Sequence, residues 1–146
     1  MTVAAEELVP GINIPSLTRK ISVEEVVASS RGRESLWGLP PAGKNIHNDT
    51  ETARSVGARD VVAGGVVTMA VSWEMLLNSF GERWLKGGKL SCTFVNMVCG
   101  GDELTAKGVV REATEDDPSD LAYMDIWLEN QDGDKVIVGK ASVPID

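Results

Sequence analysis

Val61-Val62-Ala63-Gly64-Gly65-Val66-Val67-Thr68-Met69-Ala70-Val71-Ser72-Trp73-Glu74-Met75-Leu76-Leu77-Asn78-Ser79-Phe80-Gly81 is the stretch whose reading decides the fold. Val66, Met69, Ala70, Trp73, Leu76, Leu77 and Phe80 recur at the 3.6-residue period that defines one face of a helix. Glu74 is the single charge between Val66 and Phe80, so the opposite face is barely more polar. A helix apolar on nearly every side calls for cover on most of them. The run is shorter than the ~20 apolar residues that span a bilayer. Gly64-Gly65 stands at its entry and Gly81 at its natural stop. The expectation is a central helix over Val66–Phe80, wrapped by a sheet carrying Leu90, Phe94, Ile126 and Val138, with a glycine-lined N-terminus open to a polar ligand atom.

Downstream, the period changes from 3.6 to 2. Lys89–Val98 alternates, with Leu90, Cys92 and Phe94 on one face. Glu103–Glu112 places Leu104, Ala106, Gly108 and Val110 on one side, and Leu121–Glu129 does the same with Ala122, Met124, Ile126 and Leu128. Asn130-Gln131-Asp132-Gly133-Asp134 is a hairpin turn, and Val136–Val143 is the last strand. One helix followed by three or four antiparallel strands in a meander makes an α+β chain of one domain, residues 1–146.

The N-terminal half is less regular. Residues 1–15 read as an extended arm broken by Pro10, Gly11 and Pro15. Ile21–Val27 fits a strand, and it fits equally a helix capped by Ser22 with Glu25 completing a capping box. Arg31–Asn48 reads as a long polar loop carrying Leu36, Trp37 and Leu39, of the kind that covers a substrate. Trp37 is a candidate pocket wall, whereas Trp73 and Trp84 are expected in the core. Asp49 or Thr50 can cap a short helix over Glu51–Val56 that Gly57 terminates.

Twenty-two acidic residues against fourteen basic ones leave a net charge of −8, which disfavours a nucleic-acid partner. No basic segment followed by an apolar run opens the chain, and no segment qualifies as membrane-spanning, so no membrane partner is expected. Cys92 and Cys99 lack metal-type spacing and read as buried thiols of a reducing cytoplasm. A single histidine excludes a multi-histidine metal site, and no cofactor is expected.

The chemistry-bearing residues are few. His47 lies in a polar loop with Asn45, Asn48 and Asp49 beside it, and Gly65 opens the buried helix soon after. A helix N-terminus offers unpaired N–H groups and about half a positive charge, which stabilise an enolate or a tetrahedral oxyanion. Glycine there lets a ligand approach the backbone, or lets the helix pack tightly on the sheet. An imidazole nearby moves protons close to neutral pH. Asp49 reads either as a helix cap or as a second proton-transfer group.

The same residues resemble a known family. Asn45-Ile46-His47-Asn48-Asp49, then Ala53-Arg54-Ser55-Val56-Gly57, then Val62-Ala63-Gly64-Gly65 is similar to the signature of MaoC-like dehydratases, relatives of the (R)-specific enoyl-CoA hydratases. Phe80-Gly81-Glu82-Arg83-Trp84, Phe94-Val95 and Gly100-Gly101-Asp102-Glu103-Leu104-Thr105 continue the likeness, which covers about Asn45 to Val110. The resemblance implies a hotdog fold, usually paired across a homodimer interface. It implies reversible addition of water across the α,β bond of a coenzyme A or acyl-carrier-protein thioester. It places the family histidine at His47 and the oxyanion-binding N–H at Gly65, with Gly64 the less sure choice. Asp49 is the nearest carboxylate, and Asn45 and Trp37 join Gly64 and Gly65 as candidate substrate contacts.

One departure stands out. Family members carry an aspartate five residues before the histidine, in an Asp-x-Asn-Pro-x-His run, and here that position is Ala42, with Lys44 and Asn45 at the Asn and Pro positions. Two alternatives therefore stay open beside hydration. One is thioester hydrolysis, for which Glu74 is the only acidic candidate in the helix; the other is a non-catalytic acyl-binding partner subunit.

Overall fold

The computed structural model describes residues 2–41 and 43–146, with backbone alone at 33–35. A 3-10 turn at Ala5–Glu7 is followed by β1 (Asn13–Lys20), α1 (Val23–Trp37), α2 (Thr50–Ser55), α3 (Gly65–Phe80) and α4 (Glu82–Gly87). The strands β2 (Lys89–Phe94), β3 (Glu103–Arg111), β4 (Leu121–Glu129) and β5 (Lys135–Pro144) complete the chain. All five strands form one antiparallel sheet in the order β1-β3-β4-β5-β2.

Strict alternation builds the centre of that sheet as expected. Leu104, Ala106 and Val110 of β3 and Ala122, Met124, Ile126 and Leu128 of β4 are buried on one face. At the β4–β5 turn the Asn130 side chain accepts from the N–H groups of Asp132 and Asp134, both at 3.0 Å. Gly133 there takes φ +79°, the left-handed region that suits glycine.

Three expectations are corrected upstream. The arm contains a strand: Asn13–Lys20 pairs with β3, and the register shifts between Ile14 and Leu17, where Pro15 sits. Proline is tolerated because β1 is an edge strand and the bulge absorbs the missing donor. The ambiguous Ile21–Val27 segment is resolved as helix: the Ser22 hydroxyl accepts from the Glu25 N–H (3.1 Å), and Glu25 Oε2 from the Ser22 N–H (2.7 Å). The helix then runs on through the first seven residues of the expected loop, to a stop at Gly38 with φ +60°.

The third correction concerns α3. Its sheet-facing side is Thr68, Val71, Ser72, Met75, Leu76, Ser79 and Phe80, not the more apolar stripe. Val66, at 78 % exposure, and Trp73, at 40 %, face outward. Small hydroxyl side chains on the inner face let the helix approach the sheet closely, and a count of apolar residues overlooks that. The helix lies mainly against β1 and β3 and less against β4 and β2, so the strand unforeseen in the sequence carries much of it. Of the tryptophans expected in the core, Trp84 is buried, with Trp73 edge-on to it at 6.0 Å.

A second, smaller core stands apart from the main one. Ala53 of α2, Ala58, Val62 and Cys99 pack together with Ile46 against them. Asp49 caps α2 as one of the two expected candidates, its Oδ2 accepting from the Thr52 N–H at 2.9 Å. Cys92 and Cys99 are free thiols. No helix of the described residues is long and apolar enough to cross a membrane.

Candidate active site

The loop before α2 is tied into one shape by its own asparagines. Asn45 Oδ1 accepts from the His47 N–H at 2.8 Å, and Asn48 Oδ1 accepts from the Asn45 N–H at 2.9 Å. Both amide groups also donate to the Gly43 carbonyl, at 3.0 and 3.2 Å. Side-chain-to-backbone bonds of this type are the reason asparagine suits tight turns.

That turn is clamped onto Val62. The Ile46 carbonyl accepts from the Val62 N–H at 2.7 Å, and His47 Nδ1 lies 2.6 Å from the Val62 oxygen. A carbonyl oxygen only accepts, so Nδ1 carries a proton, and in the neutral ring Nε2 is the nitrogen with the lone pair. Val62 is held from its other side as well. It bridges Cys99, and the flanking bonds run from Ala63 N–H to the Val98 oxygen and from Gly100 N–H to the Val61 oxygen, 2.8 Å each.

The glycine-aspartate turn anchors this bridge. Asp102, 1 % exposed, accepts through Oδ2 from the Cys99 N–H at 2.8 Å. Its Oδ1 accepts from Gln131 Nε2 at 3.0 Å and from the Arg59 guanidinium. That hydrogen bond and the carboxylate's charge raise the pKa of Arg59. The buried carboxylate thus holds Cys99, the bridge sets Cys99 opposite Val62 through the bonds of their neighbours, and Val62 holds the imidazole.

His47 opens onto a cavity of about 610 Å³, lined also by Asn45, Gly64, Gly65 and, at the end of α1, Leu36 and Trp37. Gly64 caps α3 without a side-chain hydrogen bond. The first-turn N–H groups therefore have neither an intrahelical nor a side-chain partner. Ser29 and Ser30 also line the cavity, and each hydroxyl donates to the carbonyl one helical turn back (Val26 and Val27) at 2.9 Å. Their protons are thereby committed, and their lone pairs remain as acceptors. The arrangement offers one imidazole base, a row of helix N–H donors and an apolar mouth. Among the described lining residues, His47 is the only titratable group.

The structure thus brings together His47, Asn45, Gly64, Gly65 and Trp37, and leaves Asp49 outside the lining. Asp49 spends one carboxylate oxygen on Thr52 and faces Lys44 at 3.6 Å with the other. Thr52 is the main cause of its lowered pKa. Ala42 lies outside the described residues. Ser29 and Ser30 escaped the sequence reading. Had the Ser22–Glu25 capping box decided for a helix, Ser29, Gly32 and Leu36 would have fallen on one face at i, i+3 and i+7.

The MaoC like domain model matches residues 44–122, more than half of the chain. The chain belongs to the MaoC-like family. R-hydratase PhaJ1 from Pseudomonas aeruginosa superposes with a TM-score of 0.73 at 19 % identity, over 98 % of this chain and 85 % of that one. The MaoC-like dehydratase from Rhodospirillum rubrum gives 0.67 at 23 % identity, over 97 % and 94 %. The ChsH1-ChsH2 complex from Mycobacterium tuberculosis gives 0.71 at 13 % identity, over 94 % and 98 %. At these identities the likeness is one of fold, and this MaoC-like chain has the hotdog architecture: a central helix laid on a five-stranded antiparallel sheet. Comparison with curated proteins gives no match.

Proposed function

We propose that this MaoC-like chain is a hydratase or dehydratase, adding or removing water across the α,β bond of a coenzyme A or carrier-protein acyl thioester. The observation that carries the reading is the pairing of His47 Nδ1 with the Val62 carbonyl. It leaves Nε2 as the basic nitrogen of a residue that shares its cavity with Gly65. In the hydration direction Nε2 takes a proton from the water that attacks Cβ. The electron pair moves through Cα to the thioester oxygen, which rests on the Gly65 N–H. Collapse of that enolate returns the proton from the imidazolium to Cα. With one titratable group among the described lining residues, both transfers pass through the same nitrogen.

Asp49 has a supporting place in this reading, as the cap that fixes α2 and so the turn carrying His47. Asp49→Asn keeps an oxygen acceptor for the Thr52 N–H and should retain both melting temperature and turnover. Asp49→Ala should lose stability first. An Asn variant that is stable but inactive would make Asp49 a proton-transfer residue after all.

Two other readings are weighed by the same assay. Hydrolysis of the thioester would draw on Glu74, but both of its carboxylate oxygens are engaged by Arg19. A non-catalytic partner subunit is favoured by the absence of a carboxylate among the described lining residues and by Ala42. Loss of the crotonyl-CoA chromophore supports hydration and thiol release supports hydrolysis. Silence in both, with measurable acyl-CoA binding, supports the partner subunit.

The working form in this proposal is a homodimer. Val66 and Trp73 on the outer side of α3 are exposed apolar side chains. β2 ends the sheet with an unpaired edge. Edges of this kind are normally covered. Light scattering should give twice the 15.6 kDa chain mass at micromolar concentration. A mass of one chain throughout that range would remove the dimer.

A further inference from the structure

A second cavity lies on the other side of Gly65. It measures about 470 Å³ and is lined by Val62, Ala63, Thr68, Phe94 and residues 95–98. Among the described residues, Gly65 alone is common to the walls of both cavities. Phe94, the last residue of β2, stands at that junction. A Cβ on Gly65 would meet Phe94 Cζ at 3.0 Å and Cε1 at 3.4 Å, so the aromatic ring occupies the place a side chain would take. Gly64, by contrast, would meet nothing within 4 Å. The absence of a side chain at residue 65 is thus explained by Phe94 as well as by ligand approach.

We infer that the Phe94 ring is the partition that sets acyl-chain length, and that the second cavity takes the tail of a longer acyl group. The inference rests on the thioester reading above. A thioester whose carbonyl oxygen sits at the Gly65 N–H has its reacting carbons beside His47, and its carrier arm leaves by the open mouth at Trp37. Carbons beyond Cβ must then continue past Gly65, and what they meet is the Phe94 ring. Behind it the walls are chiefly apolar, from Val62, Ala63, Val95, Met97 and Val98. With the ring in place the site favours short chains; with it removed the two cavities join. Each methylene buried in an apolar wall is worth about fourfold in binding, so four extra methylenes are enough to reverse a modest preference.

The test uses the full chain with Phe94→Ala and Phe94→Leu, and enoyl-CoA substrates of four, eight and twelve carbons. Melting curves identify the folded variants, and Leu serves if Ala does not fold. The expected result is a rise of at least tenfold in the ratio of twelve-carbon to four-carbon kcat/KM, with Phe94→Leu between wild type and Ala. The Kd ratio of butyryl-CoA to dodecanoyl-CoA should rise in the same order. A folded variant with the wild-type ratio in both series overturns the role of Phe94 and leaves hydration standing. If no enoyl-CoA is hydrated by any form, the thioester-hydration reading falls and the Kd ratios alone decide the partition. Failure to bind either acyl-CoA removes both.

Discussion

His47→Ala should lower kcat/KM for hydration of an enoyl thioester by about 10²–10⁴, the usual cost of losing a general acid–base group. Every observation around the ring points to the upper half of that range. The Val62 carbonyl fixes the tautomer, and the described cavity lining offers no second titratable side chain to take over. The structural cost should be small, about 1 kcal/mol for one hydrogen bond, because Asn45 and Asn48 hold the turn without the imidazole. His47→Asn, a smaller polar side chain without a basic nitrogen, should fold as well and be equally slow. Steady-state kinetics beside a melting curve checks both halves. Wild-type turnover in a folded His47→Ala protein would end the assignment and leave the helix N-terminus as the only reactive feature.

The second large effect is expected far from the cavity. Asp102→Ala orphans the buried Cys99 N–H, at a cost of about 1–3 kcal/mol. It also removes the acceptor that Gln131 and Arg59 share. The loss propagates, because Cys99 braces the Val62 segment to which His47 is hydrogen-bonded. Urea unfolding should show a lower midpoint, and kcat should fall with KM changing less. Asp102→Asn should recover part of both. Its carbonyl can still accept from Cys99, while its amide meets the donors of Arg59 and Gln131 head-on. An Asp102→Ala protein with the wild-type midpoint would show that the turn is held by its backbone alone.

Much of this molecule is legible in its residues, and the illegible parts have definite causes. β3 and β4 could be read face by face because one side of the sheet is buried and their alternation is broken only at Tyr123, which is buried between Ala122 and Met124. The ends of α3 followed from Gly64 and Gly81. Its orientation did not, because Thr68, Ser72 and Ser79 were chosen for size and score as polar. β1 was hidden by Pro15, whose cost disappears at a sheet edge with a bulge, and edges are a property of topology. α1 hung on one capping box that sequence alone left undecided. At the site, His47, Gly64 and Gly65 stood out because their order along the chain resembles a family signature, and the fold brings all three to one cavity. The service rendered by Asp102 was not, since the partners it joins lie at residues 59, 99 and 131.

The small core of Ala53, Ala58, Val62 and Cys99 has a further meaning in terms of cooperativity. The loop that carries His47 rests on these small side chains, and the sheet that gives the protein its shape rests on a separate and far larger cluster. Units with little buried apolar surface open at lower free energy than the whole molecule. The His47 loop and the sheet should therefore answer to two different stabilities. Amide exchange is expected to show the His47 loop opening while β3, β4 and β5 stay paired, and closing again without refolding.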